Sequence, residues 1–138
     1  MSAQSKSKPK GGKASKMSSS NVWFEIPADN VERAKKFYGA LFGWKIEKFP
    51  GQMEYWHIDT GGSEDSPDGG MMARKHAQQT VTNYILVSAV ESAARKVEKL
   101  GGKIYMGKTP VPGMGYFAVC TDPENNMFAV WERDEEAQ

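Results

Sequence analysis

Tyr55 and His57 are the side chains whose types and spacing best suit proton transfer in this sequence. They are separated only by Trp56, so in a β-strand they point to one face and Trp56 points to the other. An imidazole next to a phenol suits acid–base chemistry near neutral pH. No carboxylate or nucleophile is recognisable beside the pair in the sequence, so an exposed or simply hydrogen-bonded pair is the alternative. Tyr55 and His57 are therefore candidate catalytic residues.

The single cysteine and the scarcity of histidine limit other site chemistry. The chain has one Cys, Cys120, and two His, His57 and His76, which excludes an intramolecular disulfide and any all-cysteine zinc or iron–sulfur site. Cys120 lies in the segment YFAVCT without an adjacent His or basic residue. We therefore expect a buried small side chain rather than a nucleophile. The glycine doublets form no phosphate-binding motif.

A repeat of 59 residues relates two helix patterns that would position these side chains. The first pattern begins with a capping box at Asp29 and Glu32 and stops at Gly43, and the second begins at Ser88 and stops at Gly102. A capping box satisfies free amides at a helix start, and glycine commonly ends a helix. The apolar stripes hold the same displacement, in the pairs Val31 and Val90, Ala34 and Ala93, Tyr38 and Val97, and Leu41 and Leu100. The sequence therefore predicts two copies of one module.

Strands are predicted around each helix, because β-branched and aromatic residues are enriched between Gly, Pro and Asp breaks. The first copy has strands at 22–26, 44–49, 53–59 and 70–74, and the second has strands at 81–87, 103–108, 116–121 and 127–131. Residues 60–69 and 76–80 are predicted loops. The predicted fold class is α+β, with one domain at residues 21–132 made of two βαβββ modules, residues 21–75 and 80–132.

The charges are divided unevenly between the first 20 residues and the rest. Five of the 18 Lys and Arg and none of the 17 Asp and Glu lie in residues 1–20, which leaves 13 basic against 17 acidic groups elsewhere. That balance disfavours nucleic-acid binding by the folded part. We expect residues 1–20 to be a disordered tail, with a polyanion-binding arm as the alternative, and residues 133–138 to be an acidic end, with Glu132 to Glu136 solvated. Without a membrane span or a secretory signal, a cytoplasmic location is expected.

Four segments carry a recognisable pattern. They are WFEIPADNVERAKKFYGALFGW at residues 23–44, GGMM at 69–72, SAVESAARKVEKLGGK at 88–103 and DPENNMFAVWE at 122–132. The pattern resembles the vicinal-oxygen-chelate superfamily, which contains glyoxalase I, extradiol dioxygenases and bleomycin-resistance proteins. The resemblance implies that two βαβββ modules join their sheets into a curved, half-closed cavity that commonly holds a divalent metal. It also implies a homodimer.

The resemblance further assigns the family's metal ligands, usually His, Glu or Gln, to four positions of this chain. These positions hold Trp23, Thr82, Ala129 and, within a residue or so, Gly70. Indole and methyl groups supply no ligand, and a Thr hydroxyl is weak without carboxylates or imidazoles beside it. We therefore predict that no metal is bound. The alternative, a divalent metal ion, needs a register shift that turns His57, Glu25 or Glu54 into the cavity.

Aromatic and methionine side chains would then line the cavity. The position of Trp23 points at the cavity centre in the family, and an indole offers a stacking face and an N–H donor. The alternative is that Trp23 fills a collapsed core. The segment TPVPGMG at 109–115 is predicted to be a stiff loop at the cavity edge. The predicted ligand-binding residues are Trp23, Tyr55, His57, Thr82, Met114 and Tyr116.

The residues and the resemblance together predict a metal-free, glyoxalase-like protein that binds an apolar or aromatic small molecule. An enzyme of the lyase, isomerase or dioxygenase-like classes, with or without a divalent metal, is the alternative. A structural or regulatory partner-binding protein is a third class. The expected partners are a small-molecule ligand and a second copy of the chain, and neither a membrane nor a nucleic acid is expected.

Overall fold

The computed structural model describes residues 19–51 and 53–138. Within them the chain forms two compact units, Asn21–Tyr84 and Ile85–Gln138, and Ser20 belongs with the second. The N-terminal tail is predicted at residues 1–20, of which residues 1–18 lie outside the described residues. Neither helix of the described part is long and apolar enough to cross a lipid bilayer.

The order of one strand, one helix and three strands occurs twice, as predicted. The first set is β1 (Asn21–Ala28), α1 (Val31–Phe42), β2 (Lys45–Lys48), β3 (Tyr55–Asp59) and β4 (Asp68–Ala73), and the second is β5 (Thr82–Leu86), α2 (Val90–Lys99), β6 (Lys103–Val111), β7 (Gly115–Thr121) and β8 (Met127–Arg133). β5 contains residues on both sides of the division between the units. The α+β class and the βαβββ order are confirmed.

The four strands of the first unit follow the order β2-β3-β4-β1. β4 runs antiparallel to β3 and parallel to β1. In this register Gly70 of β4 lies opposite His57 on one side and opposite Glu25 on the other. Side chains alternate between the two faces of a strand, so the register brings alternate residues of β1 and β3 to one face around Gly70.

Helix α1 is capped by a residue that the sequence analysis did not select. The N-cap is Asn30, whose side-chain oxygen accepts a hydrogen bond from the Arg33 amide at 2.9 Å. The predicted cap, Asp29, instead pairs with the Arg74 guanidinium at 3.0 Å. The capping box predicted at Asp29 and Glu32 is therefore wrong by one residue. The ion pair with Arg74, the residue after β4, holds Asp29 outside the helix. The predicted stop at Gly43 is confirmed by its left-handed φ of 74°.

Helix α2 has no cap of its own. Its N-cap position is Ala89, which has no side-chain acceptor, and the predicted cap Ser88 is not used. The carboxylate of Glu132 accepts from the Val90 amide at 2.9 Å instead. A negative charge at a helix N-terminus is favourable. The predicted cap at Ser88 is thus wrong, because Glu132 of β8, from a distant part of the chain, supplies the acceptor.

Each unit has its own apolar core beneath its helix. In the first, Ile46, Ile58 and Met71 are surrounded by partly buried side chains that include Tyr38 and Trp56. In the second, the buried residues are Val90, Ala118, Cys120 and Val130. The stripe prediction is wrong at the last turn, since Leu41 is 58% exposed and Leu100 is 72% exposed. Trp44 stacks on Tyr38 below the end of α1, and α2 ends at Lys99, before Leu100.

Two predictions near the C-terminus are corrected. The segment 109–115 is not a loop throughout, because Thr109, Pro110 and Val111 pair with β7 and only residues 112–114 turn. Pro110 fits there because β6 is an edge strand. The acidic end is not simply solvated, since Ala137 is 2% exposed and its carbonyl accepts from the Gly113 amide. These backbone hydrogen bonds tie the last residues to the turn between β6 and β7.

Candidate functional site

The candidate site lies on the face of the first unit's sheet that is opposite its helix and core. Trp56 and Ile58 of β3 point into the core, so Tyr55 and His57 point to the other face, as predicted. Trp23 and Glu25 of β1 lie on the same face, where both are hydrogen-bonded to Tyr55. All four side chains are half-buried.

Glu25 is the centre of a hydrogen-bond network on this face. The Tyr55 hydroxyl donates to Glu25 Oε2 at 2.7 Å, and the Tyr84 hydroxyl donates to Glu25 Oε1 at 3.0 Å. The indole N–H of Trp23 donates to the Tyr55 hydroxyl oxygen at 2.9 Å. The Tyr55 hydroxyl therefore both receives a hydrogen bond from the indole and gives one to the carboxylate, which fixes its orientation.

Four aromatic rings form a closed circuit beside the carboxylate. Trp23 stacks on His57 with ring centroids 5.9 Å apart and planes within 7° of parallel. Phe49, which follows β2, contacts both His57 and Tyr55 at 5.6 Å. The hydrogen bond between Trp23 and Tyr55 closes the circuit. The arrangement offers ring faces and edges to a flat or apolar molecule.

His57 is held by a carboxylate that the sequence analysis did not identify. Its Nε2 lies 3.0 Å from Asp68 Oδ2. The other oxygen, Asp68 Oδ1, accepts from the amide and the hydroxyl of Thr60, each at 3.1 Å. Asp68 opens β4 and is in register with Trp23 on β1. A carboxylate that is itself fixed by two donors orients the imidazole, as in many acid–base sites.

Gly70 makes room for the ring of Tyr55. A Cβ at this position would lie 1.9 Å from the Tyr55 hydroxyl oxygen and 2.2 Å from its Cζ. The tyrosine thus crosses over β4 to reach Glu25 on the strand beyond. The GGMM segment therefore provides space on this face, whereas a Cβ at the preceding Gly69 would meet the backbone carbonyl oxygen of Phe24 at 2.5 Å.

The pKa values of three groups reflect this environment. Burial, followed by the charge of Glu25 and the hydrogen bond to it, raises the pKa of Tyr55 far above its usual range, and the same causes raise that of Tyr84. Both phenols therefore stay neutral. Burial would raise the pKa of Asp68, but hydrogen bonds from Thr60 and His57 outweigh it and lower the pKa. Burial also raises the pKa of the Cys120 thiol, which agrees with a core side chain.

The predicted site residues are distributed over both units. Trp23, Tyr55 and His57 come together as described, and Thr82, which is 7% exposed, lies two residues before Tyr84 on β5. The other two belong to the second unit. Met114 is 57% exposed in the turn before β7, and Tyr116 packs against that unit's core with the Lys108 ammonium 4.3 Å from its ring centroid.

The residues at the positions of the family's metal ligands do not fit a divalent metal. The Trp23 indole N–H is already donated to Tyr55, Gly70 has no side chain, and Ala129 is buried and apolar. Glu25 and His57 do lie on the Trp23 face, but Glu25 binds two phenols and His57 binds Asp68. The described residues contain no group of three or more His, Cys, Asp or Glu that could hold a metal ion.

Phe49, Asp68 and Tyr84 were missed from the sequence, and Glu25 was named only as a metal ligand that a register shift would turn into the cavity. Two had a usable signal. Glu25 has the same strand parity as Trp23, and Tyr84 is displaced from Glu25 by the repeat distance of 59 residues. Phe49 and Asp68 had no such signal in the sequence, because their positions in the site depend on how loops 49–54 and 60–67 return to the sheet.

Comparisons with known proteins agree with this architecture. A sequence model described as bleomycin resistance protein-like N-terminal matches residues 21–61. A solved structure from Vibrio splendidus 12B01, described as a glyoxalase/bleomycin resistance protein/dioxygenase superfamily member, superposes with a TM-score of 0.59 and 13% identity over 85% of this chain and 100% of that one. At this identity the likeness shows the fold alone.

Two relatives resemble the chain in sequence over most of its length. The anthracycline biosynthesis protein DnrV of Streptomyces peucetius is 28% identical over 127 residues, which cover 81% of this chain and 46% of the relative. The chain thus spans about half the length of that relative. A glyoxylase-like domain-containing protein of Didymella fabae is 31% identical over 121 residues, which cover 79% of this chain and 90% of the relative. With the repeated βαβββ order, this match shows that the chain belongs to the glyoxalase/bleomycin resistance/dioxygenase superfamily, the vicinal-oxygen-chelate group that its motifs resemble.

Proposed function

We propose that the chain is a metal-free member of this superfamily that binds a small aromatic molecule on the Trp23 face of its first unit. The observation that carries the proposal is the use of Trp23. It stands where the family places a metal ligand, it stacks on His57, and it donates its indole N–H to Tyr55. A half-buried indole in this setting provides a stacking surface rather than a ligand to a metal.

The neighbouring rings support an aromatic ligand. Phe49, Tyr55 and His57 leave their circuit half-buried rather than enclosed. Small-molecule sites are typically lined by aromatic side chains with a few fixed polar groups, and Glu25, Asp68 and the two tyrosine hydroxyls are fixed here. A relative named for anthracycline biosynthesis is in keeping with a small-molecule ligand.

The test uses the fluorescence of Trp23 and the melting temperature of the protein. Aromatic small molecules such as naphthalene derivatives are expected to quench tryptophan fluorescence and raise the melting temperature by mass action. Trp23→Ala should abolish both effects. Phe37→Ala is the matched control, because Phe37 is a 58% exposed aromatic residue on α1 outside the site. Quenching that survives Trp23→Ala, or that is lost in Phe37→Ala, would contradict the proposed site.

A second candidate function rests on the imidazole and its carboxylate. Asp68 orients His57 through Nε2, and no hydrogen bond to Nδ1 is present among the described residues. A lyase or isomerase that removes a proton next to a carbonyl group needs such an oriented base. Exchange of the α-proton of a bound carbonyl compound for deuterium, followed by NMR, tests it. Exchange that is catalysed by the wild type and lost in both His57→Gln and Asp68→Asn would favour the enzyme.

A further inference from the structure

The charge of Glu25 has no cationic partner in the described structure. The ion pairs of the first unit use Glu32, Glu54, Asp68 and Asp29, and no Lys or Arg within residues 19–51 and 53–138 approaches Glu25 closely enough to form one. A glutamate is ionised at neutral pH. Half-buried carboxylates are normally paired or hydrogen-bonded, because removal from water is costly. Glu25 is hydrogen-bonded but not neutralised.

The two phenols that bind Glu25 do not remove its charge. Each donates one hydrogen bond to a different carboxylate oxygen, and each phenol stays neutral. A carboxylate has about four acceptor sites on its two oxygens, so both oxygens keep acceptor capacity. The phenols thus hold the carboxylate in one orientation without competing for a cation.

The aromatic circuit adds a second attraction for positive charge. The face of an aromatic ring carries negative potential, and a cation over Trp or Tyr within about 6 Å of the ring centre is attracted to it. Trp23 and Tyr55 are joined to each other by a hydrogen bond, and the Tyr55 hydroxyl is 2.7 Å from the carboxylate. The carboxylate therefore lies next to the hydrogen-bonding edges of the two rings, so a cation that reaches Glu25 also lies beside the ring faces.

We propose that the ligand of this face carries a positively charged ammonium group that is seated between the Glu25 carboxylate and the rings of Trp23 and Tyr55. The inference rests on the proposed function, since it names the charge class of the molecule that binds there. A quaternary or tertiary ammonium attached to an aromatic ring satisfies both the carboxylate and the stacking surface. An aromatic carboxylate would be repelled by Glu25.

The experiment compares two probes of the same shape on the wild-type chain. Phenyltrimethylammonium and tert-butylbenzene differ in the replacement of a charged nitrogen by a neutral carbon. Both are titrated by NMR below the solubility limit of the hydrocarbon. We expect the cation to bind about tenfold more tightly or better, which corresponds to about 1.4 kcal/mol.

Variants assign the preference to Glu25. Glu25→Gln keeps the shape and an acceptor for the tyrosines but removes the charge, so it should lower the affinity for the cation severalfold, leaving only the smaller preference that the rings provide, and leave the affinity for the hydrocarbon unchanged. Glu54→Gln is the matched control, because Glu54 is 70% exposed and paired with Lys48. If Glu25→Gln does not fold, Tyr84→Phe, which keeps the charge, should retain the preference for the cation.

The outcomes separate the two proposals. Equal binding of the two probes, or tighter binding of the hydrocarbon, overturns the ammonium inference and leaves the aromatic-binding function standing. A preference for the cation that is undiminished in Glu25→Gln, or that disappears in Glu54→Gln, also overturns it. If neither probe nor any neutral aromatic molecule binds, the proposed function fails, and the inference fails with it.

Discussion

Gly70→Ala is expected to displace Tyr55 and so to dismantle the network around Glu25. The three atoms nearest to a Cβ at Gly70 all belong to Tyr55, at 1.9, 2.2 and 2.5 Å. Ordinary van der Waals contacts begin near 3.4 Å, so the hydroxyl end of the Tyr55 ring must move by more than 1 Å. The phenol is the far end of a flexible side chain, so it moves and the backbone of β4 stays in place.

The cost follows from the hydrogen bonds that this movement breaks. The Tyr55 hydroxyl loses a bond to a charged acceptor, worth about 1.5–3 kcal/mol, and a neutral bond from Trp23, worth about 0.5–1.5 kcal/mol. Water replaces part of both, because the groups are only half-buried. We expect a loss of about 2 kcal/mol in the free energy of unfolding, or about 8 °C in melting temperature for a chain of this size.

A double-mutant cycle measured by urea unfolding tests this explanation. In a Tyr55→Ala background the clash is absent, so Gly70→Ala should be neutral or slightly stabilising, as alanine is relative to glycine in a strand. Gly69→Ala is the control, because its Cβ would meet a backbone atom, and it should destabilise in both backgrounds. An equal loss from Gly70→Ala with and without the Tyr55 ring would refute the proposed origin of the effect.

Four further outcomes are expected. Purified protein should hold far less than one Ni, Zn, Fe, Mn or Co ion per chain by elemental analysis, and a chelator should leave its melting temperature unchanged. The pKa of Asp68 is lowered in the folded state. The stabilising effect of its carboxylate is therefore present above the unfolded-state pKa of about 3.9 and is lost as pH falls through the folded-state pKa. In thermal melts, the stability advantage of the wild type over Asp68→Asn should vanish in acid. Glu132→Ala should cost about 1 kcal/mol in urea unfolding through loss of the α2 cap, and no loss would show that the Val90 amide is satisfied by water. We also propose a homodimer, and a monomer mass by light scattering at about tens of micromolar protein would refute it.

The repeat made most of the secondary structure predictable from the sequence. The displacement of 59 residues fixed the order of elements in both copies, and strand parity placed Tyr55 and His57 on one face with Trp56 on the other. Local chemistry was less reliable at the helix starts. Asp29 and Ser88 are good caps by type, but tertiary contacts decided both cases, because Arg74 holds Asp29 and Glu132 replaces Ser88.

The site was predictable only in its aromatic part. Trp23 was accessible through the family resemblance, and Tyr55 and His57 through their spacing. Asp68 was not, because it reaches His57 only through the return of loop 60–67 to β4. Acceptors brought together by long-range register leave no local pattern in a sequence, which is why the pair was expected to lack a carboxylate.

The hydrogen bond between Glu25 and Tyr84 depends on a difference between the two copies of the repeat. The two residues occupy equivalent positions of the repeat, 59 residues apart. Were both copies identical, this contact would place two carboxylates or two phenols against each other, and the first pair repels while the second lacks a charged acceptor. The bond therefore requires an acceptor in one copy of the repeat and a donor in the other. A protein assembled from two identical copies of either half would lack it, so the polar centre of the site depends on the difference between the copies.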